Sequence, residues 1–275
     1  MTPPVLRYAA FTDDPAGGNP AGVVLDATGM SAGEMQAIAA EVGYSESAFL
    51  TPAAEGEYTV RYYSPLAEVA FCGHATIAAA VALGRTGDLV FNTRGGPVPV
   101  TAGGGRATLT SVDPAVSGLT DGDLTELLGA LGWAASDLDP GLPPRVAYAG
   151  VHHPIVAAAT REQLAALDYD FDRLGALMAE REWTTIQVLW RESDALFHAR
   201  DPFPPGGVVE DPATGAAAAA LGAYLRALEL VAPPAMVTVL QGEDMGRPSR
   251  LEVTIPPGGG GIEVSGTAVE IPSRG

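Results

Sequence analysis

The sequence contains no lysine, and all fifteen of its basic residues are arginine. Pyridoxal-phosphate enzymes, lysine-dependent aldolases and phosphate-loop nucleotide binders each use a lysine amine, so these classes are excluded. Acidic residues number 33, and the formal net charge is −18. Nucleic acids and anionic membrane surfaces are bound by clustered basic residues, so we expect neither as a partner.

Cysteine and long apolar segments are also scarce. Cys72 is the single cysteine, so no disulfide can form within the chain. No apolar run approaches the length of a transmembrane helix, and the first residues lack a charged-then-apolar leader, so we expect a cytoplasmic protein. The pair His152–His153 has no Asp, Glu or Cys at ligand spacing nearby, so we expect no metal site there.

Two segments of the sequence resemble each other, Glu68–Ala80 and Gly207–Ala219. Each has a short extended run, then a polar turn with an ionisable group, then an alanine-rich helix. The 139 residues that separate Cys72 from Asp211 give an offset that extends the match without a gap. The alternative is chance agreement in an alanine-rich sequence, but the shared order of element types favours an internal duplication. Further aligned pairs are Glu41 with Glu180, Arg61 with Arg200, and Pro65 with Pro204.

Hydrophobic periodicity predicts two helices in each half and one connecting helix. Ser31 is expected to cap the first helix, with Glu34 in its first turn and Gly43 at its end. The predicted helices cover residues 31–43, 75–83, 121–133, 171–181 and the alanine-rich segment that ends at 230. Residues 17–22 are predicted to form a turn and residues 140–144 a linker. The predicted strands cover residues 5–11, 23–25, 45–50, 58–63, 89–91, 98–101, 106–110, 146–148, 155–159, 184–190, 195–199, 236–240, 250–255 and 262–264.

The alanine-rich helices indicate the fold class. A helix of Ala and Gly is narrow enough for strands to pack closely against it on every side. We therefore expect an α+β protein with two pseudo-symmetric domains, residues 1–120 and 121–275. Each domain would be a curled, mostly antiparallel, barrel-like sheet around a central helix.

The two repeated turns suggest where a ligand binds. A helix N-terminus presents unpaired backbone N–H groups and a partial positive charge, which suit a carboxylate. If the halves face one another, a small acid would lie between the two helix ends, flanked by Cys72, His74 and Asp211. Small residues at these turns would let the ligand approach the backbone, namely Gly73, Gly215 and Ala216. Thr76 and Thr214 are expected to cap the two helices.

Glu46 is a candidate for a different reason. It lies between two serines where a helix gives way to an apolar strand, and its partner in the repeat is the unreactive Thr185. Loss of symmetry at a duplicated position is typical of specialisation for catalysis. The alternative is a solvated glutamate at a strand end.

Six short motifs in order resemble the PhzF-like isomerase/epimerase family of phenazine biosynthesis, and together they cover nearly the whole chain. The resemblance implies the diaminopimelate-epimerase fold, with the active site in the cleft between two similar domains. It also implies proton transfer without a cofactor on a small carboxylic acid, and a homodimer. The motifs are Gly18–Val24, Ser45–Ser47, Glu68 with Phe71–Thr76, Glu210–Gly215, Gln241–Gly242 and Gly246–Pro248.

The resemblance also implies roles for single residues. Glu46 matches the general acid/base that removes a proton from one carbon and returns it to another. His74 and Asp211 match residues that orient the substrate and stabilise charge. The substrate-binding positions that it implies are Asn19, Ser45, Gly73, Thr214, Gly215, Ala216 and Gln241. Ala216 departs from the family, because a serine often follows the Thr-Gly pair there.

Three functions remain open from the sequence. The first is an isomerase that shifts a double bond in a small amino or hydroxy acid, with Glu46 as the proton shuttle. The second is an epimerase or racemase that uses Cys72 and Asp211, since the single cysteine excludes a pair of thiols. The third is a non-catalytic member of the fold that binds a small molecule or a protein.

Overall fold

The structure is a computed structural model and describes residues 3–272. The chain folds into two compact units. The first unit contains the chain up to Thr110 together with the part from Val264 onward, and the second runs from Ser111 to Glu263. The last strand therefore belongs to the first unit, which differs in this detail from the consecutive halves expected from the sequence.

The elements in chain order are as follows. The strands are β1 Leu6–Ala10, β2 Asn19–Val24, β3 Glu46–Pro52, β4 Glu57–Tyr63, β5 Glu68–Val69, β6 Gly87–Thr93, β7 Gly96–Gly103, β8 Arg106–Thr110, β9 Ala115–Gly118, β10 Arg145–Tyr148, β11 His152–Ala157, β12 Gln187–Ser193, β13 Leu196–Phe203, β14 Val208–Asp211, β15 Ala235–Gln241, β16 Ser249–Ile255 and β17 Glu263–Glu270. The α-helices are α1 Ala32–Val42, α2 Gly73–Ala82, α3 Asp121–Leu131, α4 Arg161–Ala165, α5 Phe171–Arg181 and α6 Gly215–Ala227.

In the first unit the sheet closes on itself. From β1 the neighbouring strands are β2, β3, β4, β6, β7, β8 and β17, and β17 pairs again with β1. Helix α2 packs against β1, β2, β3, β7 and β8, and its residues from Gly73 to Ala80 are all buried. Only small side chains permit such close packing on several sides, which explains the run of alanines.

The second unit repeats this plan. Strands β9, β10, β11, β12, β13, β15 and β16 pair in that order, and helix α6 packs against β9, β10, β11 and β16. The parallel pairs β11–β12 and β13–β15 correspond to β2–β3 and β4–β6 in the first unit. Helices α1 and α5 have 11 residues each and begin 139 residues apart. The α+β fold with two pseudo-symmetric units, each a curled sheet around a central helix, is confirmed.

The first helix begins and ends as its sequence predicts, and the third begins at Asp121 as predicted but ends two residues early, at Leu131. The Ser31 hydroxyl accepts a hydrogen bond from the Glu34 amide, and the Glu34 carboxylate accepts one from the Ser31 amide. Gly43 ends α1 and Gly132 ends α3, both in the left-handed region that glycine adopts without strain.

Several local predictions are wrong. Thr76 does not cap α2, because the helix begins at Gly73 and the Thr76 hydroxyl donates back to the Cys72 carbonyl oxygen at 2.7 Å. Thr214 precedes α6 but makes no side-chain cap. The turn predicted over residues 17–22 ends earlier, since β2 begins at Asn19. Residues 140–144 do form a connecting segment, which precedes β10 and lies inside the second unit. Strand β9 and helix α4 were not predicted.

Among the described residues, no helix combines the length and the apolar character that crossing a membrane requires.

Candidate active site

Four candidate residues of the first unit lie together at the N-terminus of α2. Glu46 is the first residue of β3, which runs parallel to β2 and pairs Ala21 with Glu46. His74 lies in the first turn of α2, two residues after the N-cap residue Cys72. Asn19 begins β2 and is almost fully buried. The central helix and the two parallel strands thus bring together residues that are far apart in the sequence.

His74 is the centre of this group. Its Nδ1 lies 3.0 Å from the amide nitrogen of Asn19, and its Nε2 lies 3.5 Å from the Glu46 carboxylate and 3.4 Å from the Ser45 hydroxyl. With the amide oriented in this way, Nδ1 accepts a hydrogen bond, because an amide nitrogen only donates. A neutral His74 then carries its proton on Nε2, which faces Glu46 and Ser45. The ring is 4% exposed, whereas the Glu46 side chain is 13% exposed and retains some access to solvent.

The Cys72 thiol completes the group. Its Sγ donates to the Glu46 carboxylate at 3.6 Å and lies 3.4 Å from Nδ1 of His74. Cys72 is buried, and its side chain makes no cap for α2. The first turn of a helix leaves backbone N–H groups without intrahelical partners, so the positive end of α2 lies beside the carboxylate and the thiol.

In the second unit, Asp211, Thr214 and Gln241 form a connected group before α6. The Thr214 hydroxyl donates to the Asp211 carboxylate at 2.6 Å. The Gln241 amide accepts from the Thr214 backbone at 3.1 Å and donates to the Asp211 carbonyl oxygen at 2.8 Å. All three residues are buried. Gly215 and Ala216 follow as the first two residues of α6. Gln241 therefore fixes the shape of the loop on which Asp211 lies.

The motif glycine after Gln241 has a steric role. Gly242 has a φ of 75°, and a Cβ on it would lie 2.3 Å from the carbonyl oxygen of Arg247 and 2.7 Å from that of Pro212. Because any side chain would collide with two backbone segments, this position requires glycine. The motif from Gln241 to Pro248 thus supports the loop of Asp211 through backbone contacts.

The glutamates of the two repeated motifs form matching ion pairs. Glu68 accepts two hydrogen bonds of 2.8 Å from Arg61, and these bonds lower the pKa of the Glu68 carboxyl. Glu210 accepts two from Arg200, the repeat partner of Arg61. Paired guanidinium and carboxylate groups of this kind fix geometry, so these glutamates hold the strands that lead into Cys72 and Asp211.

A buried polar group in the second unit was not found from the sequence. Nδ1 of His153 lies 2.9 Å from the Thr185 hydroxyl, and burial lowers the pKa of His153 to about 3. Burial, reinforced by the negative charges of Asp211 and Glu210, raises the pKa of Asp201 well above its ordinary value, although the hydroxyls of Thr214 and Thr185 oppose this. Strand β13 pairs Asp201 with Asp211. The only sign of these residues in the sequence is a polar residue within or beside a strand whose other positions are typical of a buried core.

Comparison with known proteins agrees with this architecture. The profile of the phenazine biosynthesis-like protein family, PhzC-PhzF, matches residues 8–274. An uncharacterised isomerase of Deinococcus radiodurans is 35% identical over 98% of this chain and 91% of its own length. The trans-2,3-dihydro-3-hydroxyanthranilate isomerase of Pseudomonas aeruginosa is 33% identical over 97% of this chain and 94% of its own length.

A solved structure gives the same result for the fold. The crystal structure of a PhzF-family phenazine biosynthesis protein of Bacillus anthracis superimposes with a TM-score of 0.86 at 27% identity. The superposition covers 98% of this chain and 96% of that one. The resemblance read from the six motifs is therefore confirmed, and so is the diaminopimelate-epimerase-like fold. The chain belongs to the PhzC-PhzF family of phenazine biosynthesis-like proteins and is an isomerase.

Proposed function

We propose that the protein transfers a proton within a small amino or hydroxy carboxylic acid without a cofactor, and that Glu46 is the general acid/base. The contact of the Glu46 carboxylate with both His74 and Cys72 carries this proposal. A proton shuttle needs a carboxylate that is sheltered from bulk water but still reachable, and the Glu46 side chain is 13% exposed. Among the described residues, no other carboxylate lies within 4.8 Å of both an imidazole nitrogen and a thiol.

His74 would stabilise charge that develops on the substrate. Its ring is fixed by Asn19 on one side and by Ser45 on the other, so little reorganisation is needed during the reaction. The N-terminal turn of α2 at Gly73 would bind the substrate's negative charge. In the second unit we assign substrate-binding roles to Asp211, Thr214, Gly215, Ala216 and Gln241.

The relative from Pseudomonas aeruginosa suggests the class of substrate. That protein acts on trans-2,3-dihydro-3-hydroxyanthranilate, an unsaturated ring acid with amino and hydroxy groups. We propose a compound of the same class for this chain and that compound as the first probe. Ala216 offers no hydroxyl, so the substrate of this chain would lack the group that a serine at this position would bind. We further propose a cytoplasmic homodimer, which light scattering on the purified protein tests.

A second function, epimerisation through Cys72 and Asp211, is favoured by one observation. The Cys72 thiol donates to Glu46, which could accept its proton and leave a nucleophilic or basic sulfur. The two mechanisms differ in which residue accepts the substrate proton.

Incorporation of deuterium from D₂O into the probe distinguishes the two mechanisms. Under the isomerase mechanism Glu46→Gln, which keeps the shape of the side chain, lowers incorporation by about 10²–10⁴-fold, the usual contribution of a general acid/base. Cys72→Ala then retains most of the activity. Loss of most of the activity in Cys72→Ala would support the epimerase mechanism. Circular dichroism and thermal unfolding of both variants establish that they fold, and wild type that leaves the probe unchanged would refute this compound as the substrate.

A further inference from the structure

Asp201 lies at the centre of a row of polar residues in the second unit. Strand β14 places Asp211 directly opposite it on one side. On the other side, β12 pairs Val188 with Arg200, and a backbone hydrogen bond beyond this pair continues the register. The preceding residue of β12, Gln187, therefore lies opposite Asp201. Paired residues of neighbouring strands point to the same face of a sheet, so the three polar side chains lie next to one another.

Two members of this row are buried without protein partners. Asp201 and Gln187 have no exposed surface. Within the described part of the chain, neither oxygen of Asp201 and neither polar atom of the Gln187 amide makes a hydrogen bond of ordinary geometry to the protein. An amide both donates and accepts, whereas a carboxylate only accepts. A neutral carboxylic acid, which also donates, therefore suits this row better than a carboxylate does.

The charges around Asp201 also favour the neutral acid. Burial is the main cause that raises its pKa well above the ordinary value, and the negative charges of Asp211 and Glu210 add to it. Arg200, the neighbour of Asp201 in the chain, is paired with Glu210 instead. The imidazole of His153 on β11 brings no positive charge, since burial lowers its pKa to about 3.

The Thr214 hydroxyl connects Asp201 with Asp211. Its oxygen accepts from the Gln241 amide at 3.1 Å, and its hydrogen is donated to the Asp211 carboxylate at 2.6 Å. The same hydroxyl is close enough to Asp201 to affect the pKa of that acid. Because its single hydrogen is already used, the Thr214 oxygen can only accept from Asp201. A neutral Asp201 can supply that hydrogen bond, whereas an ionised Asp201 would compete with Asp211 for the Thr214 hydrogen.

The first unit contains a corresponding chain of hydrogen bonds. At the repeat offset of 139 residues, Tyr62 is the partner of Asp201, and Cys72 is likewise the partner of Asp211. The Thr76 hydroxyl donates to the Cys72 carbonyl oxygen at 2.7 Å, so the Tyr62 hydroxyl, 2.7 Å from it, must donate to Thr76. In both units a buried strand residue thus faces a threonine whose hydrogen is given to the turn before the central helix.

We propose that Asp201 is a positioning residue for Asp211: as the neutral acid it donates to Thr214, and so keeps the Thr214 hydrogen on the Asp211 carboxylate. Ionisation of Asp201 would withdraw this support, and it would place two negative charges opposite each other on neighbouring strands. The consequence for turnover rests on the proposed function, in which Asp211 binds substrate, whereas the hydrogen bonds themselves do not.

Carbon-13 NMR of the carboxyl groups tests this link without any assay of turnover. The full chain is labelled at its aspartate carboxyl carbons, and the Asp201 and Asp211 resonances are identified by their loss in the asparagine variants. We expect Asp201 to resonate as a protonated acid at pH 7, while the exposed Asp194 resonates as a carboxylate. When Asp201 ionises at higher pH, the Asp211 resonance should shift over the same range in the wild type but not in Asp201→Asn. An Asp201 resonance typical of a carboxylate at pH 7, or an Asp211 resonance that does not respond to the ionisation, would overturn the proposal.

Two variants distinguish positioning from structural support. Asp201→Asn keeps a donor at the same place but cannot ionise, so it should recover most of the deuterium incorporation and retain it at high pH, where the wild type loses activity. Asp201→Leu keeps the branched shape without a donor and should lower incorporation about 10–10²-fold. Asp194→Asn, the control, should match the wild type across the pH range. Equal activity of Asp201→Leu and wild type, or an alkaline fall that is the same in Asp201→Asn, would refute the role.

The two proposals fail separately. If Asp201→Leu does not fold, the spectra and the pH profile of Asp201→Asn decide, and if wild type leaves the probe unchanged, the spectra decide alone. If Glu46→Gln is inactive while Asp201 resonates as a carboxylate, the positioning role is wrong and the mechanism stands. If Glu46→Gln turns over the probe normally while Asp201 is neutral and coupled to Asp211, the mechanism is wrong and the positioning role stands.

Discussion

Asp201 combines full burial with neighbouring negative charge. It lies on β13 in the second unit and pairs with Asp211 on β14. Burial and the charges of Asp211 and Glu210 raise its pKa well above the ordinary value of an aspartate. The folded protein therefore favours the neutral acid, which can donate a hydrogen bond where an aspartate could only accept.

Asp201→Asn should therefore stabilise the protein as pH rises. Because the folded pKa is raised, the wild type keeps its full stability below the unfolded pKa and loses it as pH rises towards the folded pKa. The amide cannot ionise, so the variant avoids a loss of about 1.4 kcal/mol for each pKa unit. Urea unfolding at pH 4 and pH 8 measures the difference, with the exposed Asp194→Asn as control. An equal gain at both pH values would contradict the explanation.

The buried His153 should make stability depend on pH in the opposite direction. Burial lowers its pKa to about 3, so between the ordinary value near 6.5 and about 3 the unfolded chain binds a proton that the folded chain does not. This contribution to stability is present above pH 6.5 and is lost as pH falls. His153→Gln should flatten the acid limb of the stability profile, by up to about 1.4 kcal/mol for each pH unit in that window. The exposed neighbour His152→Gln removes only the small contribution of its charge to this shift and should flatten the profile less, and an equal flattening by both variants would refute the assignment.

The sequence predicted some site residues and not others for a physical reason. Cys72, His74 and Asp211 follow short extended runs and precede alanine-rich helices, so the local pattern marks them as residues at helix ends. Asp201 and Thr185 lie within or beside strands that read as core, and only the tertiary fold shows that they face one another. Local pattern thus finds residues at element ends, whereas polar groups inside a core require the packed structure.

Helix α6 shows how packing selects sequence at the scale of an element. It lies against strands of the second unit, and all its residues from Ala217 to Leu225 are buried. A Cβ on Gly222 would lie 2.7 Å from Ile262 and 2.8 Å from Val253. Glycine ordinarily weakens a helix, so its presence here reflects the space that the sheet leaves.

Gly222→Ala should destabilise the protein although alanine is the better helix former. The added methyl must displace two packed aliphatic side chains, which costs about 1–3 kcal/mol and exceeds the gain in helix propensity. The control is Gly33→Ala in the exposed first turn of α1, where no atom lies within 4 Å of the added Cβ. Chemical unfolding should show a loss for the first variant and no loss for the second. Stabilisation by Gly222→Ala would mean that the sheet leaves more room than the contacts indicate.

Element boundaries were predictable where one residue type decides them. The capping box of α1 and its terminal Gly43 are both visible in the sequence and present in the structure. Helix α2 begins earlier than predicted. Threonine is a common capping residue, but Thr76 lies within the helix and its hydroxyl bonds to the carbonyl oxygen of Cys72. The first turn of α2 is stabilised by packing, which local sequence does not encode.

At the scale of the whole molecule, the sequence shows the duplication but not the pairing of the C-terminal strand with the first unit. The order of elements repeats in the sequence, and both units show the same succession of parallel and antiparallel pairs. Strand β17 instead pairs with β1, where Tyr8 lies opposite Glu270. Pairing over so long a separation leaves no local signature, because it depends on which edge of the first sheet remains open.

The C-terminal strand should therefore be essential to the first unit. The Phe11 amide donates to the Thr267 carbonyl oxygen at 2.7 Å, and a Cβ on Gly266 would lie 2.3 Å from the Phe11 ring. A chain ending at residue 262 should lose hydrogen-exchange protection in β1 and β8. The second unit should be unaffected, so the fluorescence of its tryptophans should not change; these are all three of the chain, Trp133, Trp183 and Trp190. Gly266→Val should weaken the same protection without deleting the strand, and Gly259→Val, with no atom near its Cβ, should not. Unchanged protection of β1 in the shortened chain would show that the sheet of the first unit is stable while open, and the closing strand would then add no stability.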